Sequence, residues 1–512
     1  MGKKILSTIL IIIMSANMLI GCAPLSYVQE RVENAINNYQ AETGVSSVIE
    51  EESELLVENI EENTEDSIEE ESEADTEETI EIDEADNSLF YWEENGYDNE
   101  IPIYDYIVEE VKEADNNDGK VLNIWSWSTA TQDLFESAYP GYEKIDDQTG
   151  MIGEVTVCWH TVFSEYYTDE LEMALSKNES VSEDECIDIF LVEDIWAQRF
   201  IEAGYTIPLA DIGIGREDLS EQYGYTQSVV TDTQGRLCGF AYYAAPGVFC
   251  YRRSIAKEVF GTDEPTEIQE YLKDWGVFYN TAGRLKESGY YITQDESRVF
   301  RAFTDNRDLS WIMDEQFQYD EDILKWAFFT KELYEKEYLN ETSVYDFEVP
   351  TNVFGQFSAT WANQYLLPYT YEDGWGMCAA PDSFYYGGVW MCVAKGTQNE
   401  SLIKEIFINL ATDKELLYEI VKSDTFANNR SFMNEIALDD TYCSDLYDGQ
   451  NPYKVYCYVA DTVDERVVCK YEAECEQYFQ EAMSYYFKGE LTYAEAISYY
   501  EEKIKENYPE IH

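Results

Sequence analysis

Histidine is almost absent from this chain of 512 residues, which contains only His160 and His512. A zinc site built from several histidines is therefore excluded by number alone. A Ser-His-Asp or Cys-His arrangement would have to use His160, and the sequence has neither a Gly-x-Ser-x-Gly elbow nor a Gly-Lys-Ser phosphate loop. We predict no catalytic residue, no metal and no cofactor. A catalytic carboxylate pair stays open, because 105 acidic residues make any chosen pair uninformative.

Positive charge is also scarce. Lys and Arg total 33 against 105 Asp and Glu, which gives a net charge of −72. Nucleic acid is excluded as a partner, because phosphate binding requires clustered Lys and Arg, and anionic lipid headgroups are disfavoured for the same reason. Such a charge suits an exported body that meets neutral or cationic ligands. After the first 20 residues no apolar run is long enough to predict a membrane-spanning helix.

The N-terminal residues have the features of an export signal. Met1–Lys4 carries two positive charges, Ile5–Ile20 is mostly apolar, and the run ends in Leu19-Ile20-Gly21-Cys22. This order is typical of a secretory signal peptide, here residues 1–21. The ending resembles the bacterial lipobox, which implies a lipid on Cys22 and an anchor at the extracellular face of a Gram-positive-type membrane. The alternatives are an ordinary signal peptide and an uncleaved anchor.

An acidic segment follows the signal. Glu50–Asp86 contains 20 acidic residues and neither Lys nor Arg. A block of this kind cannot bury enough apolar surface to offset its chain entropy, and its charges repel one another. We predict a disordered tether over residues 22–88 and a short connecting segment over 89–118.

From Lys120 onward, the spacing of apolar residues alternates between that typical of strands and that typical of helices. Strands are predicted at Val121–Trp127, Gly153–Trp159 and Cys186–Val192. Helices are predicted between and after them at Asp133–Tyr139, Ser164–Lys177 and Ile195–Ala203. This alternation indicates an α/β fold with a parallel sheet. After Ser254 the pattern becomes largely helical, and Glu267–Lys286 is predicted as one helix.

Cysteine usage leaves two interpretations. Apart from Cys22 there are ten cysteines, and several lie within apolar strand-like runs, as Cys158, Cys250 and Cys392 do. An exported protein can form disulfides. We favour mostly free, buried thiols, because cysteine in such runs behaves as a small hydrophobic residue.

Aromatic and carboxylate side chains follow several predicted strands. Ligands of parallel α/β sheets bind beyond the carboxyl ends of the strands, where rings can stack on sugars and carboxylates can accept from hydroxyl groups. For each tryptophan alone, core packing is at least as good an explanation. The predicted ligand-binding residues are Trp127, Glu193, Asp194, Tyr243, Trp361 and Trp390.

Four segments together resemble one family. They are Val121–Trp127, Ile187–Asp194 with Tyr205–Asp211, Gly239–Tyr243 through Phe249–Arg252, and Ser358–Trp361 with Tyr385–Trp390 and Ala427–Asn429. In order and spacing they are similar to the extracellular solute-binding proteins of carbohydrate ABC transporters, a group that includes maltose-binding protein. The likeness covers roughly three quarters of the chain, judged on these motifs alone. Cys186 stands where the family usually has Pro.

The resemblance implies a two-lobe periplasmic-binding-protein-like fold of type II with hinge crossovers. Lobe I would comprise residues 119–243 and 383–425, and lobe II residues 247–380 and 428–512. Asp194 would accept hydrogen bonds from sugar hydroxyls, Trp361 would stack on a sugar ring, and Tyr243 would lie by the hinge. The family's usual acidic hinge residue is replaced near Ala245.

The function implied is a receptor rather than an enzyme. It would bind a neutral sugar or oligosaccharide, deliver it to the transmembrane subunits of an ABC permease, and stay at the membrane through its lipid. Two alternatives remain open at this point: a surface glycoside hydrolase that uses paired carboxylates, and an adhesive lipoprotein without a small ligand.

Overall fold

The computed structural model describes residues 110–114, 119–163, 166–294, 296–340, 349–362, 374–422, 425–439, 441–465 and 467–512. The predicted signal peptide, Cys22, the tether and most of the connecting segment lie outside these residues. Within the described ranges, no helix combines the length and the apolar character needed to cross a membrane.

A seven-stranded sheet forms where the sequence predicts alternating strands and helices. Its strand order is β2-β3-β4-β1-β5-β13-β6, with β1 parallel to β4 and β5 and with β13 antiparallel to β5. All four residues of β5 are buried, as expected of a central strand with both faces covered. The strands of this sheet are β1 (Val121–Ser126), β2 (Tyr142–Lys144), β3 (Thr149–Ile152), β4 (Val155–Thr161), β5 (Ile189–Val192), β6 (Gly239–Phe240) and β13 (Trp390–Val393).

A three-stranded antiparallel sheet, in the order β11-β8-β12, lies beyond a short pair of strands, β7 and β14. The chain leaves the seven-stranded sheet at β6, passes through β7 and enters β8 two residues later. The strands here are β7 (Tyr243–Ala244), β8 (Gly247–Arg252), β11 (Gly355–Ala359), β12 (Trp375–Cys378) and β14 (Phe426–Ala427), and a separate ribbon consists of β9 (Ile312–Met313) and β10 (Gln316–Phe317).

Helices cover both sheets, and most α-helices of the described residues are amphipathic. They are α1 (Ala130–Ala138), α2 (Tyr167–Leu175), α3 (Asp194–Glu202), α4 (Gly224–Ser228), α5 (Arg253–Phe260), α6 (Pro265–Gln269), α7 (Trp275–Glu287), α8 (Glu296–Thr304), α9 (Glu321–Glu335), α10 (Glu400–Thr412), α11 (Lys414–Lys422), α12 (Arg430–Leu438), α13 (Tyr453–Thr462), α14 (Glu472–Phe487) and α15 (Tyr493–Asn507).

Buried apolar side chains form two hydrophobic clusters. Cluster 1 contains the core of the seven-stranded sheet, apolar residues of α12 and α13, and one face of β8, where Val248 and Cys250 point into it. Cluster 2 contains the opposite face of β8, with Phe249 and Tyr251, together with apolar residues of α7, α8, α9, α14 and α15. Because side chains alternate along a strand, β8 contributes to both clusters.

One predicted helix is wrong in extent. Glu267–Lys286 is divided into α6 and α7, with a break between Gln269 and Trp275. The side chain of Asp274 accepts a hydrogen bond from the backbone N–H of Val277, so it caps a new helix start. The apolar spacing continues across the break, which explains why periodicity alone did not reveal it.

The expectation of free thiols is confirmed for the described cysteines. All ten between Cys158 and Cys475 are free, eight are buried, and only Cys443 is exposed. Burial raises the pKa of the Cys250 thiol to about 12, so that it behaves as an apolar side chain at neutral pH.

Candidate functional site

The candidate site lies at the carboxyl edge of β1 and β5. These strands run parallel, with Ile124 opposite Ile189, so the residues that follow them emerge at the same edge of the sheet. The Tyr167 hydroxyl holds this edge together, because it lies 3.1 Å from the carbonyl oxygen of Trp125 and 2.7 Å from that of Leu191. The carboxyl end of each strand thus has a fixed position.

The side chains of Glu193 and Asp194, which follow β5 at this edge, have different environments. Glu193 immediately precedes α3, and its side chain is exposed, whereas Asp194 is the first residue of α3 and only 2% exposed. The pKa of Glu193 is raised to about 7, chiefly by desolvation and secondarily by the charge of Asp194, while Arg301 acts in the opposite direction. Since Glu193 remains accessible to solvent, we attribute the desolvation to a concave surrounding rather than to enclosure.

Arg301 is the partner of Asp194. Its Nη1 donates to Asp194 Oδ2 at 3.0 Å, and its Nη2 lies 3.1 Å from Glu476 Oε2. Arg301 Nη1 also lies 3.6 Å from Oδ1 of Asp305, the residue that directly follows α8. The guanidinium is therefore shared by three carboxylates, from α3, from the end of α8 and from α14.

Trp361 is connected to the same group through Tyr386. The Trp361 indole Nε1 donates to the backbone carbonyl of Tyr386 at 2.7 Å, and the two rings lie 5.3 Å apart at 63°. The Arg301 guanidinium is 5.8 Å from the centre of the Tyr386 ring. Gly387, which has a φ of 66°, follows Tyr386, and a Cβ there would lie 3.2 Å from the Trp361 Nε1. A glycine at this position lets the backbone approach the indole.

The other predicted residues lie elsewhere along the strand ends. Trp127 is half-buried beside Tyr167, with 5.7 Å between ring centres. Tyr243 is half-buried in β7, where it pairs with Ala427. Trp390 is 2% exposed in β13, and its Nε1 donates to the Thr226 carbonyl at 2.7 Å. Packing accounts for every contact described for Trp390, and its contact with a ligand stays a prediction.

A shallow, open cavity of about 340 Å³ lies beside the end of β4, away from the Arg301 group. Trp125 and His160 line it, and their rings are stacked at 5.5 Å. The His160 Nε2 lies 2.9 Å from Asn123 Oδ1, and desolvation lowers the pKa of the imidazole. None of the six predicted ligand-binding residues lines this cavity.

The arrangement provides hydrogen-bond acceptors and partly exposed rings. Among the described residues, no group of His, Cys, Asp or Glu side chains has a geometry that could hold a metal ion. Glu193 supplies an exposed carboxylate, and Trp361 and Trp127 supply half-buried indoles. Such groups can recognise a polyhydroxylated ligand that has apolar ring faces.

Two residues of this site, Arg301 and Tyr386, are absent from the sequence prediction. Arg301 lies 107 residues from Asp194 along the chain, so no local pattern connects them. A weak signal was present, because arginine is scarce in this acidic chain and Arg301 has two apolar residues on each side. Tyr386 was visible only as part of the Tyr385–Trp390 segment.

The sequence matches no family model and no curated protein. Solved structures do match the fold. A family 1 extracellular solute-binding protein aligns with a TM-score of 0.64 and 14% identity, over 76% of this chain and 99% of that one. The galacto-N-biose-/lacto-N-biose I-binding protein of Bifidobacterium longum aligns at 0.56 and 12%, over 76% and 97%. The sugar-binding protein MalE of Xanthomonas citri aligns at 0.56 and 13%, over 75% and 96%.

The chain therefore has a periplasmic-binding-protein-like α/β fold, as the sequence predicts. More particularly, this fold is the one seen in the solved family 1 extracellular solute-binding protein and in MalE.

Proposed function

We propose that this chain is the substrate-binding lipoprotein of an ABC importer. It binds a neutral sugar or oligosaccharide between two lobes, 119–243 with 383–425 and 247–380 with 428–512, and delivers it to the permease. A lipid on Cys22 anchors it at the extracellular face of the membrane, and the acidic tether separates the anchor from the folded body.

One observation carries the proposal: an exposed carboxylate and a half-buried indole belong to one connected group of side chains. Glu193 follows β5 and precedes Asp194, and Asp194 is linked to Trp361 through Arg301 and Tyr386. The fold supports the same function, because proteins that share it bind β-1,6-galactobiose, lacto-N-biose and acarbose.

The test is a ligand screen on the purified full-length chain, by thermal melting and intrinsic tryptophan fluorescence. The panel contains β-1,6-galactobiose, lacto-N-biose, acarbose, maltotriose and α-D-tagatose. A ligand present at 100 times its dissociation constant adds about 2.7 kcal/mol to the free energy of unfolding. Saturable stabilisation with the sugar recovered intact supports the receptor. Recovery of cleaved sugar indicates a hydrolase, and the absence of any shift contradicts a receptor for sugars of these classes.

A further inference from the structure

The contact between α3 and the helices of cluster 2 is unusually rich in charge. α3 packs its apolar face, with Ala197, Phe200 and Ile201, into cluster 1. α8 and α14 pack theirs into cluster 2. Three ion pairs join α3 to α8, to α14 and to the segment just before α14: Asp194 with Arg301, Arg199 with Glu474, and Glu202 with Lys470.

These three pairs differ in burial and in length. The Arg301–Asp194 pair has a distance of 3.0 Å, with side chains 11% and 2% exposed. The other two pairs span 3.6 and 4.0 Å and are more exposed. Exposed pairs contribute little and are screened by salt, whereas removal of one partner from a buried pair leaves an uncompensated charge. The Arg301–Asp194 pair therefore dominates the connection.

The free-energy cost of separating two surfaces depends on whether the contact between them is charged or apolar. Apolar surfaces that part from each other are exposed to water at a cost that grows with their area. Buried charges that part regain hydration, which offsets much of the lost attraction. The contact of α3 with α8 and α14 is thus suited to repeated opening and closing.

We propose that Arg301 is a positioning residue that bridges the two clusters across the candidate site. Both members of the bridge belong to the chain, so its formation requires no ligand. Arg301 holds the Asp194 carboxylate in place, and Glu193 is the carboxylate that meets the ligand. This last step rests on the proposed function; the bridge itself does not.

The bridge has a consequence for affinity. When only one conformation binds, the apparent dissociation constant equals the intrinsic one divided by the fraction of molecules in that conformation. A loss of the bridge that lowers the closed fraction from nearly all molecules to about one tenth would weaken binding about tenfold.

The test measures a distance across the boundary in the full-length chain with no sugar added. Probes are introduced as unnatural amino acids at Met173 on α2 and Met313 in β9, both exposed, so that the native thiols are not labelled. We expect Arg301→Gln and Asp194→Asn each to produce a population with a changed distance, and Arg301→Lys to restore part of the original distribution.

Glu476→Gln is the matched control, because it removes a carboxylate from the same guanidinium but within cluster 2. We expect it to leave the distance distribution unchanged. The bridge is contradicted if Arg301→Gln and Asp194→Asn both leave the distribution unchanged, or if Glu476→Gln alters it as much as Arg301→Gln does. Asp194→Asn is nearly isosteric and keeps the test decisive if an Arg301 variant fails to fold.

Sugar binding provides the second readout. With the first sugar of the panel that binds, we expect Glu193→Gln to lower affinity without changing the distance distribution, and Asp194→Asn to change both. Equal affinity of Glu193→Gln and the unmodified chain would contradict the ligand-facing role of Glu193. The distance experiment needs no sugar, so failure of the bridge is distinguishable from failure of the proposed function.

Discussion

Two buried arginines within a short stretch of chain have opposite surroundings. Arg307 lies wholly inside cluster 2, where its Nη2 donates to Glu472 and its guanidinium lies 4.9 Å from the Trp311 ring centre. Arg301 lies at the boundary and reaches Asp194 on the other side. Burial and charge are similar, and the difference is whether the partner belongs to the same apolar cluster. An arginine inside a cluster contributes to the stability of the fold. An arginine at a boundary also affects how α3 is positioned against α8 and α14.

The largest effect is expected inside cluster 2. Arg307→Leu removes the guanidinium beside Glu472 and leaves that carboxylate buried, and loss of one partner of a buried pair costs about 3–5 kcal/mol. Urea denaturation measures the change in the free energy of unfolding. Arg284→Leu is the control, because Arg284 is exposed on α7 and we expect its loss to cost less than about 1 kcal/mol. A change in the Met173–Met313 distance in Arg307→Leu would contradict the distinction between the two arginines.

The same comparison between an interior and a boundary position can be made with two tryptophans, Trp390 and Trp361. Trp390→Ala should lower the free energy of unfolding by about 3–5 kcal/mol, because it removes a large side chain from the interior of the sheet. Trp361→Ala, at the boundary, should cost less stability and weaken sugar binding about tenfold, or about 1.4 kcal/mol. Calorimetric titration and denaturation of both variants check this pair. The reverse result, with binding lost only in Trp390→Ala, would support the original ligand-binding prediction for Trp390.

The smallest expected effect is the contribution of Glu193 to the pH dependence of the free energy of unfolding. Its pKa in the folded protein is raised to about 7, above the ordinary value of 4.5. Below pH 4.5 the carboxyl group is neutral in both the folded and the unfolded chain, so the unmodified protein and Glu193→Gln should be about equally stable. As the pH rises from 4.5 through 7, the unmodified protein should lose stability relative to Glu193→Gln, because the fold disfavours the ionised carboxylate. Because the side chain is exposed, we expect a change below about 1 kcal/mol. Denaturation of both proteins between pH 4 and pH 8 measures it. A constant difference across that range would show that the environment of Glu193 does not favour its neutral form.

Local pattern was sufficient for much of the fold. The sequence predicts a strand at Cys186–Val192 and a helix at Ile195–Ala203, and the structure has them at Ile189–Val192 and Asp194–Glu202. The position of the two carboxylates at this junction was therefore predictable. The resemblance to solute-binding proteins rested on the order of such segments, and the fold it implied is confirmed.

Contacts between distant elements were not predictable in this way. Trp390 lies at a strand end, as predicted, opposite the last residue of β5, but its side chain is buried and donates to the Thr226 carbonyl. The pairing of Asp194 with Arg301 depends on how α3 meets α8, which no periodicity encodes. The sequence thus predicted where the strands end, but it did not predict which residues each side chain contacts.

The free thiols described above make the fold indifferent to redox conditions. None of the ten cysteines from Cys158 to Cys475 forms a disulfide, so the folded body depends on burial and hydrogen bonding and on no covalent cross-link. It therefore needs neither an oxidant nor a disulfide isomerase to reach its native state. The same fold can form in strictly anoxic surroundings, where a protein stabilised by disulfides would have no oxidant to close them.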